Sequence, residues 1–134
     1  MIRQALFIGL LIILRLATFA QTDSISKVDN KYPVDEDVHY IGGDDKFWKS
    51  LYGKHIKYPK KAVDEGISGT VVIYFDIDKN GHSSNYQIIK GVRKDLDDEA
   101  LRAVKVLNGW DVSKVVDKKT IYHKLVGIKF SLDR

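Results

Sequence analysis

The clearest pattern in the chain is the alternation of apolar and other positions in GTVVIYFDID, residues 69–78. One face of an extended chain here carries Val71, Ile73, Phe75 and Ile77, and the other carries Val72, Tyr74, Asp76 and Asp78. Successive side chains of a β-strand point to opposite faces of its sheet. The alternation therefore predicts a strand with one buried face, and it places both aspartates on the solvent face, where carboxylates are hydrated.

A hairpin turn is predicted directly after this strand. Asn80 and Gly81 both tolerate positive φ, and such a pair between two strand-like runs is the strongest short-range hairpin signal. The following run, SSNYQIIKGV (residues 83–92), supplies the second strand.

The same turn also resembles the opening of a calcium-binding EF-hand loop. That loop requires flanking helices and a bidentate Glu at its twelfth position. Here the flanking segments are strand-like, and the twelfth position is Gln87. The sequence favours a hairpin over a calcium site.

Helical spacing of apolar residues occurs on both sides of this hairpin. In DDKFWKSLYGKH, Asp44 is a candidate N-cap, Phe47 and Leu51 (with Trp48 and Tyr52) form an apolar stripe, and Gly53 is expected to end the helix. The aromatic stripe favours core contact over a ligand platform. Pro59 opens a short helical turn that Gly66 closes.

A second long helix is predicted over residues 95–107. Its buried stripe consists of Leu96, Ala100, Ala103, Val104 and Leu107. A final strand is predicted over residues 120–132, with Val126, Ile128, Phe130 and Leu132 on its inner face. The fold class is therefore α+β: a small three-stranded antiparallel sheet with two helices packed on one face, in the order helix-strand-strand-helix-strand.

The N-terminal residues have the features of a secretory signal peptide. Arg3 precedes an apolar run, and Thr18-Phe19-Ala20 provides small residues for cleavage before Gln21. An uncleaved membrane anchor is the alternative, but a spanning helix needs about 20 apolar residues, and Arg15 interrupts the run. We expect residues 1–20 to be a signal peptide, 21–40 a flexible leader with a local extended piece around Val38 and Tyr40, and 41–134 the folded domain.

Composition excludes several function classes. The absence of cysteine excludes disulfides and thiol chemistry. The formal charge is +4, and loss of Arg3 and Arg15 with the signal would leave 20 basic and 18 acidic residues, a net +2. That balance does not favour nucleic acid or an anionic membrane surface as a partner.

Candidate catalytic and metal-binding residues are few. Ser68 in GISGT lacks the second glycine of a nucleophile elbow. The acidic run at residues 97–99 is explained by the positive end of a helix. The histidines have no metal-binding spacing; they are His39, His55, His82 and His123. We expect neither an enzyme nor a cofactor-binding protein.

A specific resemblance emerges when these motifs are taken in order. The chain resembles the C-terminal domain of the TonB family over about residues 40–132. The residues that carry the resemblance are Tyr58-Pro59, Ala62, Gly69, Val71–Asp78, Asn80-Gly81, Glu99-Ala100, Trp110 and Phe130.

The resemblance implies a periplasmic protein, or an inner-membrane-anchored one facing the periplasm if the signal is uncleaved. Its implied partner is an outer-membrane transporter whose extended segment, the TonB box, pairs with an exposed edge strand. Homodimerisation through the same edge is the alternative. The implied partner-binding residues are Tyr58, Pro59, Thr120, Ile121, Tyr122, His123, Lys124, Leu125, Val126 and Gly127. Tyr58-Pro59 could equally be a corner at a helix start.

Two departures from the family pattern affect energy coupling. Residues 1–20 contain neither the Ser nor the His of a TonB anchor, and Pro33 and Pro59 are the chain's two prolines. A leader of about 20 residues, extended at roughly 3.3 Å each, would not cross a periplasm. The family's Trp-x-Pro is also absent, because Trp110 is followed by Asp111-Val112. We therefore expect the peptide-binding half of the family's function, and these departures count against force transmission from the inner membrane without deciding it.

Overall fold

Eight regular elements follow one another from residue 39 in a computed structural model that describes residues 31–133. They are β1 (His39–Tyr40), α1 (Asp44–Ser50), α2 (Lys60–Asp64), β2 (Gly69–Asp78), β3 (Ser83–Lys90), α3 (Lys94–Val106), β4 (Trp110–Asp111) and β5 (Ile121–Phe130). A π-helical turn, Leu51–His55, extends α1. The predicted signal peptide (1–20) and residues 21–30 of the predicted leader lie outside the described residues.

The main sheet is antiparallel, with strand order β3-β2-β5. β2 pairs with β5 without interruption, from Gly69 opposite Phe130 to Asp78 opposite Ile121. Its pairing with β3 shifts register twice, and Asn85 in β3 has a φ of 50°. The predicted three-stranded antiparallel sheet and its hairpin are confirmed, and β1 and β4 form an additional two-stranded sheet.

One face of the sheet packs against the helices and forms the core. The inward residues predicted for β2 are all fully buried, and so are Leu96, Ala100 and Ala103 of α3. Phe75 lies between Tyr86 and Trp110, with ring centroids 5.2 and 5.4 Å away. Burying each large apolar side chain stabilises the fold by about 1.5–3 kcal/mol. Because β2 and β5 both bury apolar side chains on this face, their packing against the helices fixes the position of both strands.

The first helical segment runs past the position at which we expected it to end. Gly53 lies inside the π-helical turn, whose Ile56 amide bonds to the Leu51 carbonyl at 2.8 Å. Side chains of α3 hold the end of the turn: Arg102 donates to the His55 carbonyl, and the Lys57 amide donates to Glu99 at 2.7 Å. The prediction that Gly53 ends this helix is wrong, because tertiary partners satisfy its last backbone groups.

Two predicted boundaries also differ. We assigned residues 21–40 to a leader, but Val38 is fully buried in the core and β1 pairs with β4. The described part of that segment therefore packs on the domain from residue 34 onward. At the other end β5 stops at Phe130, and Leu132, which we placed on the inner face, is 39% exposed.

Candidate functional site: the outer edge of the last strand

Among the residues that the structure describes, β5 is an edge strand, because β2 is the one strand that pairs with it in the three-stranded sheet. Its other side can be identified from His123, whose backbone N–H and C=O both bond to Asp35 rather than to β2. Hydrogen-bonded and non-bonded pairs alternate along an antiparallel ladder. The backbone groups that point away from β2 therefore belong to Ile121, His123, Leu125, Gly127 and Lys129.

One end of this outer edge is occupied by Asp35. Its amide donates to the His123 carbonyl at 2.9 Å, and its carboxylate accepts the His123 amide at 2.8 Å. The same carboxylate, only 12% exposed, bonds to the Lys119 ammonium at 2.7 Å. Burial acts to raise the pKa of Asp35, but the hydrogen bonds from Lys119 and His123 outweigh it and lower that pKa.

The other end is occupied by an aromatic side chain. The Tyr52 hydroxyl accepts the Lys129 amide at 2.9 Å. The Tyr52 ring stacks on Trp48 with centroids 5.9 Å apart and planes at 18°, which holds the hydroxyl in place. A residue of the π-helical turn thus takes the position that a neighbouring strand would fill.

A short open window remains between these two ends. Within residues 31–133, no hydrogen bond reaches the outward N–H and C=O groups of Leu125 and Gly127, four groups in all. The His123-to-Lys129 span corresponds to about 20 Å of extended chain at roughly 3.3 Å per residue. Unpaired backbone groups on an edge strand are a template for an additional strand, so this window between His123 and Lys129 is available to one.

The His123 side chain lies on the open face of the sheet. Its Nδ1 is 2.8 Å from Asp76, which also accepts a 3.0 Å hydrogen bond from Asn85, and its ring stacks on Tyr74 with centroids 5.5 Å apart. Burial, followed by the charges of Asp76 and Asp35, raises the pKa of Tyr74. These contacts link His123 to β2 and, through Asp76, to Asn85 of β3, and they hold His123 in position.

The aspartates of the calcium-like pattern are engaged in the protein. Asp78 accepts the Asn80 amide at 2.8 Å and the His82 amide at 3.0 Å, and the His82 bond is the main cause of its lowered pKa. The expectation that Asp76 and Asp78 are simply hydrated is therefore wrong. Across the described part of the chain, no three His, Asp or Glu side chains converge as metal ligands.

The predicted partner-binding residues of the last strand form two sets: those whose backbone groups face β2 and those whose backbone groups face outward. Tyr122 and Val126 face the core, with exposures of 1% and 5%, and Lys124 donates to the Val38 carbonyl at 2.7 Å. Thr120 precedes the strand, while Ile121 is 41% exposed. In this region, the edge itself is therefore made by the backbone of the odd-numbered residues.

Tyr58 and Pro59 lie at the opposite end of β5 from Thr120. The Tyr58 hydroxyl donates to the Ile67 carbonyl, and its ring meets Phe130 edge-to-face at 5.4 Å. Pro59 directly precedes α2. These contacts are those of a corner at a helix start, and a role for the pair in partner binding stays a prediction.

Asp35 and Tyr52 were not among the predicted site residues. Tyr52 had a signal, its place in the aromatic stripe, but the pattern gave no reason to expect its hydroxyl at β5. Asp35 had none, because it lies in a polar segment without periodicity. A separate finding concerns the membrane: within residues 31–133, no helix has the length and apolar composition needed to cross one.

Comparison with known proteins identifies the family. The family model described as the Gram-negative bacterial TonB protein C-terminal matches residues 54–132, which include α2, α3 and all three strands of the main sheet. No curated protein matches the chain.

Two solved structures share the fold. Both are NMR solution structures of the Helicobacter pylori TonB C-terminal domain, with TM-scores of 0.51 and identities of 24% and 23%. Each alignment covers 67% of this chain, and 94% and 80% of the respective solved chains. With the family model matching more than half of its length, this chain belongs to the family of TonB C-terminal domains.

Proposed function

We propose that this protein binds an extended segment, the TonB box, of an outer-membrane transporter by adding it as a strand to the outer edge of β5. Membership of the family supports a role in TonB-dependent transport and in the periplasm, where this domain works. The observation that carries the proposal is the open window at Leu125 and Gly127, on an edge strand of the sheet.

The energetics of this window indicate weak, reversible binding. A hydrogen bond contributes about 0.5–1.5 kcal/mol net, so four of them supply about 2–6 kcal/mol before the cost of association is subtracted. In strand addition the main chain supplies affinity and alternate side chains supply selectivity. Because 6 kcal/mol corresponds to a dissociation constant of about 40 μM, we expect dissociation constants of tens of micromolar or weaker, with side chains of the segment distinguishing one transporter from another.

In this proposal the predicted site residues have different roles. Leu125 and Gly127 offer backbone groups, and Ile121 offers exposed apolar surface beside the edge. Tyr122, Lys124 and Val126 fix the strand to the domain from the inner side. Tyr58 and Pro59 would lie near one end of the bound segment, next to Phe130.

Titration with synthetic peptides tests the proposal. Ten-residue peptides from the N-terminal segments of TonB-dependent transporters encoded in the same genome would be added to the ¹⁵N-labelled protein. We expect the largest amide shifts at Leu125 and Gly127. N-methylation of successive peptide residues should abolish binding at every second position, because alternate amides face β5. Absence of binding at millimolar peptide, or equal effects at all positions, would contradict the proposal.

Self-association through the same edge is the competing proposal. It uses the same unpaired groups, with a second copy of the chain in place of the transporter. Light scattering over a hundredfold concentration range separates the two: a constant monomer mass contradicts self-association, whereas a dimer that peptide dissociates supports it. The family's domain is a non-catalytic interaction module, and we propose no enzymatic activity.

Export of the chain is also a proposal. We propose that residues 1–20 direct the protein to the periplasm and are removed there; the alternative is retention as an inner-membrane anchor. Mass spectrometry of the protein purified from cells distinguishes these outcomes, since cleavage after Ala20 leaves a chain that begins at Gln21. An intact Met1 would support the anchored form.

A further inference from the structure

The segment that occupies one end of the β5 edge is a turn of the chain itself. Asp35–Val38, here called the Asp35 turn, is closed by a 3.3 Å hydrogen bond from the Val38 amide to the Asp35 carbonyl. The turn is anchored on one side, because Val38 is fully buried and β1, which follows it, pairs with β4.

At His123 the Asp35 turn makes the backbone hydrogen bonds that a residue of an added strand would make. It satisfies both outward backbone groups: the carbonyl through the Asp35 amide, and the amide through the Asp35 carboxylate. Lys119 neutralises that carboxylate from the other side at 2.7 Å. A partner strand that continues past Leu125 toward His123 would need the same two backbone groups.

We propose that the Asp35 turn is an internal competitor for the β5 edge, which the transporter segment displaces in order to pair with His123. This inference rests on the proposed function. The segment first pairs with the four outward groups of Leu125 and Gly127. Departure of Asp35 adds the two groups of His123, so the paired window grows from four backbone groups to six.

The position of the turn explains why it can leave without unfolding the domain. Glu36 and Asp37 are exposed, and the Lys119 side chain that holds Asp35 is 51% exposed. Release of the turn breaks the Asp35–Lys119 ion pair and the Asp35 hydrogen bonds to His123, and it removes no apolar side chain from the core. Val38, which is buried, stays in place and serves as the hinge.

Competition of this kind lowers the apparent affinity without changing the partner's own interactions with β5. The apparent dissociation constant equals the intrinsic one divided by the fraction of molecules with a free edge. Opening the turn should therefore strengthen the binding of segments long enough to reach His123, and it should leave shorter segments unaffected.

The test compares Asp35→Ala with Asp37→Ala in the full chain, since both remove one carboxylate from the same turn and Asp37 is exposed. Hydrogen exchange at the His123 amide is measured first. Four-residue and eight-residue synthetic peptides of one transporter N-terminal segment are then titrated. We expect Asp35→Ala to accelerate His123 exchange by about tenfold and to tighten binding of the longer peptide by a similar factor, as loss of a charge-assisted hydrogen bond implies. Binding of the shorter peptide, and both measurements in Asp37→Ala, should stay at wild-type values.

The outcomes separate this inference from the proposed function. An unchanged affinity for the longer peptide, or equal gains for both lengths, would overturn the competition while leaving the proposed function intact. Unaltered His123 exchange in Asp35→Ala would also overturn it. If no variant binds either peptide at millimolar concentration, the proposed function fails, and nothing then remains for the turn to compete with.

Discussion

The Tyr52 hydroxyl accepts the Lys129 backbone amide at 2.9 Å, so a side chain from the helical segment takes the place of a strand neighbour at one end of β5. Replacing Tyr52 with Phe keeps the ring stacked on Trp48 and removes only this hydrogen bond. We expect faster hydrogen exchange at the Lys129 amide and a loss of about 1 kcal/mol or less in the free energy of unfolding.

The His123 amide is the internal control for this experiment, because Asp35 rather than Tyr52 holds it. Its exchange rate should stay the same in Tyr52→Phe. Equal acceleration at both amides would indicate a general loosening of β5 and contradict the local effect.

The hairpin glycine provides a second prediction. Gly81 has a φ of 83°, and a Cβ there would lie 2.0 Å from the Trp110 carbonyl oxygen. Gly66 has a φ of 67°, but a Cβ there would meet nothing within 4 Å. Left-handed backbone costs a non-glycine residue about 1–2 kcal/mol. We expect Gly66→Ala to lose about that much free energy of unfolding in urea denaturation, and Gly81→Ala to lose clearly more. Equal losses would show that the backbone of β4 moves to accommodate the added methyl group, which would contradict the prediction.

The central strand provides a matched pair of core and surface substitutions. Phe75 is fully buried, whereas Val72, three residues earlier on the opposite face, is partly exposed. Truncating a buried Phe to Ala costs about 3–5 kcal/mol through lost burial and the cavity left behind. We expect Phe75→Ala to lower the free energy of unfolding by about that amount and Val72→Ala by far less. Similar losses would contradict the assignment of faces.

Acid sensitivity should arise in part from an ion-pair group at the start of α3. Arg93 donates to Asp95 at 2.8 and 2.9 Å and also to Glu65, and the Arg93 hydrogen bonds hold the pKa of Asp95 at about 2. An ionised Asp95 therefore stabilises the folded state above its unfolded pKa of about 3.9. That contribution is lost as the pH falls from about 4 to about 2.

Thermal unfolding across this pH range tests the contribution of Asp95. Asp95→Asn should be less stable than the wild type at neutral pH and should lose less stability between pH 4 and pH 2. Asp133→Asn, which removes a carboxylate close to the end of the chain, is the control for net charge. A wild-type pH slope in Asp95→Asn would contradict the prediction.

The sequence predicted the parts of the fold that depend on local periodicity. The inward residues of β2 were identified correctly because a period of two is independent of which strands lie beside it. The predicted stripe of α3 is likewise buried, with Val104 1% and Leu107 4% exposed. In both cases the prediction requires only that one face of the strand or helix is buried, whichever element packs against it.

Features that depend on distant partners were not predictable in this way. The π-helical turn ends through contacts with Arg102 and Glu99, each more than 40 positions along the chain from its partner. The Asp35 contact joins residues 88 positions apart. No local pattern encodes such pairs. The family resemblance implied β5 as the docking edge, but neither it nor the pattern indicated that Asp35 and Tyr52 contact the backbone of His123 and Lys129.

The irregular pairing of β3 has a consequence for stoichiometry. The sheet has a second edge, β3, but its pairing with β2 shifts register twice and Asn85 within it has a positive φ. Bulged edges pair poorly with further strands. Because β5 is the edge that pairs without interruption, we expect that strand addition, if it occurs as proposed, adds a single extra strand to each molecule. We would then expect assembly to stop at a one-to-one pair instead of propagating from molecule to molecule into a fibre.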